Sequence, residues 1–358
     1  MAKLKKILVV TFSNISDHQD KVSVLYEELL EMGFDVYIVL PQNVDIECEK
    51  SDRTWFVKCP DRPGVTKGTF NFINLGLVIR KIIKGKFDII FFETLHVWNL
   101  PIMLLIGKKT KIFQMIHDVI PHKGDKGEKL VDLMNRTVIK LANEIIICNK
   151  KYKESLCERY SANPNKVRCI ELWERFPAYK ETRRKGHMLF FGRLNPYKGA
   201  DNLLEIVKQC PGIQFDVVGK ADSQVLNIIN ELKQYPNVTV NEGYIADDEI
   251  VNVFDACDWC ILPYNSATQS GVVVEAYKNS KPVICFDVGA ISEQVQNGAT
   301  GFLIASGDVK AFANKINEVS KFSDDDFIAY CKRGYEYGYQ QFSAKKAAEK
   351  IFMDSRCF

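Results

Sequence analysis

Short β-branched runs alternate with helical patterns along this chain, and the alternation runs through once, breaks, and starts again. KILVVTF, DVYIVL, DIIFFE, KIFQMI and EIIIC read as strands in the first half, with KVSVLYEELLEMG and GEKLVDLMNRTVIKLA as helical stretches between them. Unbroken apolar runs of this length suit strands covered on both faces, and strand–helix alternation implies parallel, doubly wound sheets. Gly33 falls where a helix needs a C′ residue. HMLFFG, QFDVVG, NVTV, DWCILPY, PVICFD and GFLI repeat the pattern in the second half. The break is ERFPAYKETRRKG (174–186), polar and holding Pro177 and Gly186. The expectation is an α/β protein of two Rossmann-like domains, residues 1–175 and 176–341, with parallel sheets facing a cleft. FSAKKAAEKIFMDSRCF, about 342–358, is expected as an amphipathic helix returning to the first domain. A length of 358 residues suits two cores better than one.

Charge is divided unevenly. Residues 1–180 carry 29 Lys+Arg against 22 Asp+Glu, and residues 181–358 carry 19 against 23. A basic first half points to an anionic partner there. Its densest basic runs are RKIIKGK (80–86) and GKKTK (107–111). MAKLKKILVVTF is read as a first strand rather than a secretory signal, and no run of about 18 apolar residues offers a membrane span. The eleven cysteines mostly sit inside apolar runs, as small buried hydrophobes of a reducing compartment. The lone CxxC of Cys257 and Cys260 lacks the further ligands of a zinc site. A cytoplasmic location is expected, with attachment to the inner face of the cell membrane, and no nucleic-acid partner.

In open α/β sheets ligands sit beyond the carboxyl ends of the strands. That rule singles out four places in the second half. HMLFFGRLNPYKGADNLLEIV puts Gly192, Arg193 and Lys198 between a strand end and a helix start, a setting for a diphosphate. QFDVVGKAD offers Gly219 for close backbone approach. SATQSGVVVEA sets Ser270, Gly271 and Val272 at a helix start, with Glu275 one turn inside. Tyr244, in NEGYIADDE, is placed to border a flat ring. The acids Asp324–Asp326 of FSDDDFIAY read as helix-start residues rather than metal ligands.

GRLNPYKGADNLL together with SGVVVEAYKNSKPVICFDVGAISEQVQNGATGFLI resembles the family-4 retaining glycosyltransferases of the GT-B fold, of the bacterial surface-polysaccharide type. The resemblance covers the second half through about residue 320 and the first half more loosely. It implies that Arg193 and Lys198 bind the donor diphosphate, that the amides near Gly271 and Val272 help, and that Glu275 accepts from the ribose hydroxyls. It further implies that His117, in MIHDVIPHKG, lies near the donor sugar and leaving group, with Asp118 beside it. His18, in SNISDHQDK, is a weaker acceptor-side candidate within a loop, with Ser16 or Asp17 expected as capping residues. Two departures stand out. Ala267 occupies the position of the family's first Glu, which touches the donor sugar, and SNISDHQ replaces its Gly-Gly pair.

The implied function is metal-independent, retaining transfer of a sugar from a nucleotide diphosphate sugar to a glycan or lipid-linked acceptor in polysaccharide biosynthesis. No cofactor is called for beyond the donor substrate. An anionic membrane surface is a further expected partner. The alternative is a non-catalytic nucleotide-sugar-binding subunit that supports a partner transferase, which Ala267 favours. An NAD-type dehydrogenase fits poorly, because KILVVTFSNISD lacks G-x-G-x-x-G.

Overall fold

Every pairing between neighbouring strands of the two sheets is parallel. The computed structural model describes residues 5–43, 51–59, 71–117, 119, 128–148, 150–267 and 270–353. They divide into two compact units, residues 1–173 with 344–358, and residues 174–343. The first unit holds β1 (Lys6–Val10), β2 (Asp35–Pro41), β3 (Thr54–Val57), β4 (Ile89–Phe92), β5 (Lys111–Met115), β6 (Glu144–Ile147) and β7 (Val167–Cys169). Their order across the sheet is β3-β2-β1-β4-β5-β6-β7. The second unit holds β8 (His187–Phe191), β9 (Gln214–Gly219), β10 (Val238–Glu242), β11 (Trp259–Leu262), β12 (Val283–Asp287) and β13 (Gly301–Ala305). Their order is β10-β9-β8-β11-β12-β13.

Side chains alternate across a strand, so a buried sheet feeds two cores. Ile7 and Val9 of β1 join one apolar cluster of the first unit, and Leu8 and Val10 join the other. Both β4 and β11 are buried at all four positions. The short strands β3 and β7 lie at the edges of the first sheet, where pairing on one side suffices.

Helix ends follow local chemistry. The helix Ser16–Glu31 closes with Gly33 at φ +86°, Gly33 N–H donating to Leu30 and Phe34 N–H to Leu29, the two bonds of a Schellman motif. Ser323 accepts from the Asp326 amide and starts the helix Asp324–Phe342, so those acids serve the helix end. The expected helix of 342–358 is corrected in two ways. Helix Asp324–Phe342 ends first, and the chain then forms Ala344–Ala348 and a π-turn at Glu349–Met353, with 354–358 outside the described residues. The wide turn buries both Ile351 and Phe352, Phe352 against Phe91 and Phe113, while Arg168 donates to the carbonyls of Lys350 and Ile351 at 2.7 and 2.8 Å.

Candidate functional site

Strand order reverses between β1 and β4 in the first sheet and between β8 and β11 in the second. Doubly wound folds bind ligands at such points, outside the carboxyl ends of the strands. The singled-out residues fall at these strand ends, and each unit has its own group.

In the second unit, Gly192 follows β8 at φ +104°, which an L side chain rarely adopts. A Cβ there would lie 2.5 Å from Lys198 Nζ and 3.5 Å from Val272 Cγ2. Gly192 therefore sits between the lysine and the first turn of the helix Gly271–Lys278. Gly219, at φ +143°, closes the other side, since its Cβ would stand 2.0 Å from the Gly192 carbonyl oxygen. Lys198 is 6% exposed and donates to the Phe191 carbonyl at 3.3 Å. Burial pushes its ammonium down to about 8, against a smaller opposing influence of Cys260, with Arg193 adding the least. The exposed Arg193 makes no ion pair with a described residue.

The N-terminus of the helix Gly271–Lys278 is open. Its N-cap Ser270 makes no side-chain cap, so the first amides of the helix have no side-chain acceptor there. Gln294 fixes that end instead, accepting from Ser270 N–H at 2.8 Å and donating to Ser270 O at 3.1 Å. One turn on, Glu275 is tied to its own helix, Oε2 2.9 Å from Lys278 Nζ and Oε1 accepting from Asn279 Nδ2 at 2.9 Å. Tyr244 is 80% exposed beyond β10, and no hydrogen bond or ring contact among the described residues joins it to this group. Gln269 lies outside the described residues. Cys257 and Cys260 are free, fully buried thiols of the core.

The first unit brings together residues that the sequence only half revealed. Glu93 directly follows β4 and is fully buried. Its Oε1 meets His18 Nδ1 at 3.0 Å and His117 Nε2 at 2.8 Å, and the same His117 nitrogen lies 3.0 Å from the Glu93 carbonyl. Burial works against the carboxylate, but hydrogen bonds and charge from His117 and His18 hold it at about 2. For His117, burial is outweighed by Glu93, and its imidazole titrates above the ordinary value. Donor atoms of the trio lie within 4.8 Å of one another, close enough to raise the question of a metal. Both imidazoles aim at one carboxylate oxygen at hydrogen-bond distance, an arrangement that charge-assisted hydrogen bonds account for without a metal.

A cavity of about 190 Å³ opens beside the trio, with His96, Asn135, Ser13 and Thr94 also in its wall. His96 accepts from Trp98 N–H at Nδ1 and is pushed down to about 4 by burial, so it is neutral and its proton sits on Nε2, which has no partner among the described residues. Gln114 and Asn99 brace the turn after Glu93. The Gln114 amide donates to the carbonyls of Thr94 and Met115, and Asn99 donates to Thr94 O and Gln114 Oε1.

His18 needs a correction. It sits in the first turn of the helix Ser16–Glu31 rather than a loop, and neither Ser16 nor Asp17 caps that helix. Ser13 takes that work, its Oγ accepting from Ile15 N–H and its carbonyl accepting from the Gln19 side chain, while Asp17 pairs with Lys21. Asp118 lies outside the described residues. Glu93 was missed, although one signal was present: an acid closing the apolar run IIFF within DIIFFE.

Comparison with known proteins gives these groups a family. Residues 22–172 match the model for Glycosyltransferase Family 4, and residues 185–321 match that for Glycosyl transferases group 1. A protein of the Klebsiella pneumoniae cps region, described as an uncharacterized 41.2 kDa protein, is 26% identical over 80% of this chain and 81% of its own length. The Staphylococcus aureus capsular polysaccharide biosynthesis glycosyltransferase CapM is 25% identical over 52% of this chain and 54% of its own. Among solved structures, Anabaena HepE in complex with UDP superposes with a TM-score of 0.68 at 16% identity, over 99% of this chain and 100% of that one. Two parallel sheets in two units, with a Glycosyltransferase Family 4 match over residues 22–172 and a Glycosyl transferases group 1 match over residues 185–321, give this chain the two glycosyltransferase domains of a GT-B fold.

Proposed function

We propose that this protein moves a sugar from a nucleoside diphosphate sugar to a glycan or lipid-linked acceptor in polysaccharide biosynthesis, with retention at the anomeric carbon and without a metal ion. The observation that carries the reading is the arrangement around Gly192. A cation that burial has stripped of water, Lys198, and the uncapped amides at Gly271 and Val272 flank a position with no side chain. Such a position suits a diphosphate, whose charge grows as the sugar leaves. The UDP complex of HepE and the capsular role printed for CapM support the donor and the pathway class.

In the proposed reaction the anomeric C–O bond to the diphosphate breaks, and its electron pair passes to the phosphate oxygen. The acceptor oxygen bonds to the same face of the anomeric carbon, and its proton goes to that phosphate oxygen. Arg193, Lys198 and the helix amides would stabilise the departing charge, Glu275 would accept from the ribose hydroxyls, and His117 would border the sugar. Gly219 and Tyr244 would border the nucleotide. Asp118 and His18 would belong to the acceptor side.

Turnover of a nucleotide sugar by Arg193→Ala and Lys198→Ala tests the assignment. Each should fall about 100-fold or more, the usual scale for losing one preorganised charge contact. Near-normal rates in both would refute it. Ala267 favours the second reading, a nucleotide-sugar-binding subunit without activity of its own. Purified protein that binds nucleoside diphosphate yet neither hydrolyses nor transfers any donor would establish that reading instead.

A further inference from the structure

Glu93 has no part in the diphosphate grip, yet it is the most completely buried charge at a strand end of the first unit, and two ring nitrogens meet on one of its oxygens. An ionised carboxylate only accepts, so each imidazole nitrogen facing Oε1 must carry a proton. For His18 that nitrogen is Nδ1, and for His117 it is Nε2, which also reaches the Glu93 carbonyl. Both rings line the same cavity, their centroids 4.8 Å apart and their planes at 68°. Their other nitrogens, His18 Nε2 and His117 Nδ1, have no partner among the described residues.

We propose that Glu93 is a positioning residue, which locks the two imidazoles as a complementary pair so that His18 Nε2 and His117 Nδ1 are the nitrogens offered to neighbouring sugar hydroxyls. With a single proton added to the pair, His117 Nδ1–H donates to one hydroxyl while His18 Nε2 accepts from the next. The location of that proton follows from charge. Glu93 Oε2 is buried without a hydrogen-bond partner among the described residues, so the carboxylate needs a counter-charge nearby, and Glu93 raises the affinity of His117 for a proton. The other titratable groups acting here are Lys21, whose charge opposes protonation of His117, and Cys148, whose thiol burial keeps neutral. His96, also in the cavity wall, stays neutral. This role rests on the proposed transfer reaction for its substrate, but the pairing itself does not.

The test is ¹⁵N NMR of the imidazoles in full-length wild type and Glu93→Gln, followed through pH, with turnover and nucleoside diphosphate affinity measured on the same samples. In wild type, neutral His18 should carry its proton on Nδ1, the form disfavoured in free histidine. In Glu93→Gln, His117 should titrate at least about one pH unit lower, the alkaline limb of the pH–rate profile should move down with it, and kcat should fall at least about tenfold. Glu93→Asp should restore part of both. Nucleotide affinity, which reads the second unit, should not change. Wild-type His18 protonated on Nε2, or imidazole titrations indifferent to the substitution, would overturn the inference. A wild-type protein that binds no nucleotide would instead count against the proposed donor site. Should Glu93→Gln fail to fold, the wild-type His18 spectrum decides alone.

Discussion

Lys198 holds its charge where water scarcely reaches, and pH therefore acts on the proposed grip in a calculable direction. Its ammonium is depressed to about 8 in the folded protein. Between that value and its ordinary 10.5 the unfolded chain binds more protons than the folded one, so stability of the second unit rises with pH across this window. A bound diphosphate favours the ammonium and reverses the balance. Nucleoside diphosphate affinity should thus fall as pH rises through about 8, with proton uptake on binding above it, measurable by calorimetry in buffers of different ionisation enthalpy. The glycines nearby are distinguishable by substitution. Gly219→Ala and Gly243→Ala both place a side chain at positive φ, but only the first drives a Cβ into backbone, the Gly192 carbonyl, whereas the second opens on empty space. Gly219→Ala should cost about 1–3 kcal/mol more than Gly243→Ala in denaturant melts. Residues of this kind were legible in sequence because Gly, Lys and Arg at a strand end have few other uses. Glu93 was not, because only the fold reveals that the first turn of the helix Ser16–Glu31 and the ends of β4 and β5 deliver His18, Glu93 and His117 to one point.

Among the elements, the helix Gly271–Lys278 depends on a contact from 24 residues away. Gln294 bonds both backbone groups of Ser270, and Ser270 supplies no cap of its own. Gln294→Ala should leave the Ser270 N–H unpaired in a buried place, a cost of about 1–3 kcal/mol. Hydrogen exchange at Ser270 and Gly271 should speed up by at least about tenfold, and nucleotide affinity should weaken with it. Unchanged exchange would show that the latch is dispensable. Sequence patterns located the central strands because a strand buried on both faces must be apolar throughout, as in IIFF of β4 and WCIL of β11. They missed TWFV of β3 and VRC of β7, since edge strands are held by pairing more than by apolar content. They also misjudged where the first helix begins. Its start is set by Ser13 and Gln19 reaching each other around Ile15, a bond pattern with no local signature.

For the whole molecule, surface chemistry extends the proposal to a lipid boundary. On the helix Phe72–Gly85, Ile73 and Leu77 are 79% and 58% exposed, and Arg80 and Lys84 continue the same face. Leu104 and Leu105 are exposed as well, a few residues before Lys108 and Lys109. Apolar side chains beside cations fit an anionic bilayer. Binding to vesicles rich in anionic lipid is expected at low salt, with a loss of several-fold at 0.5 M salt and in Ile73→Asp/Leu77→Asp; indifference to lipid charge would count against it. No described helix is long and apolar enough to cross a membrane. One last consequence concerns time rather than place. The chain leaves its first unit at Trp173 and rejoins it at Ala344, so residues 174–343 form an insertion within that unit. During synthesis the inserted unit is complete while the earlier one still lacks Ile351 and Phe352, and Phe91 and Phe113 still face a gap. The part made first is the part finished last, and a chain cut short at residue 343 would carry a complete second unit and an unsealed first one.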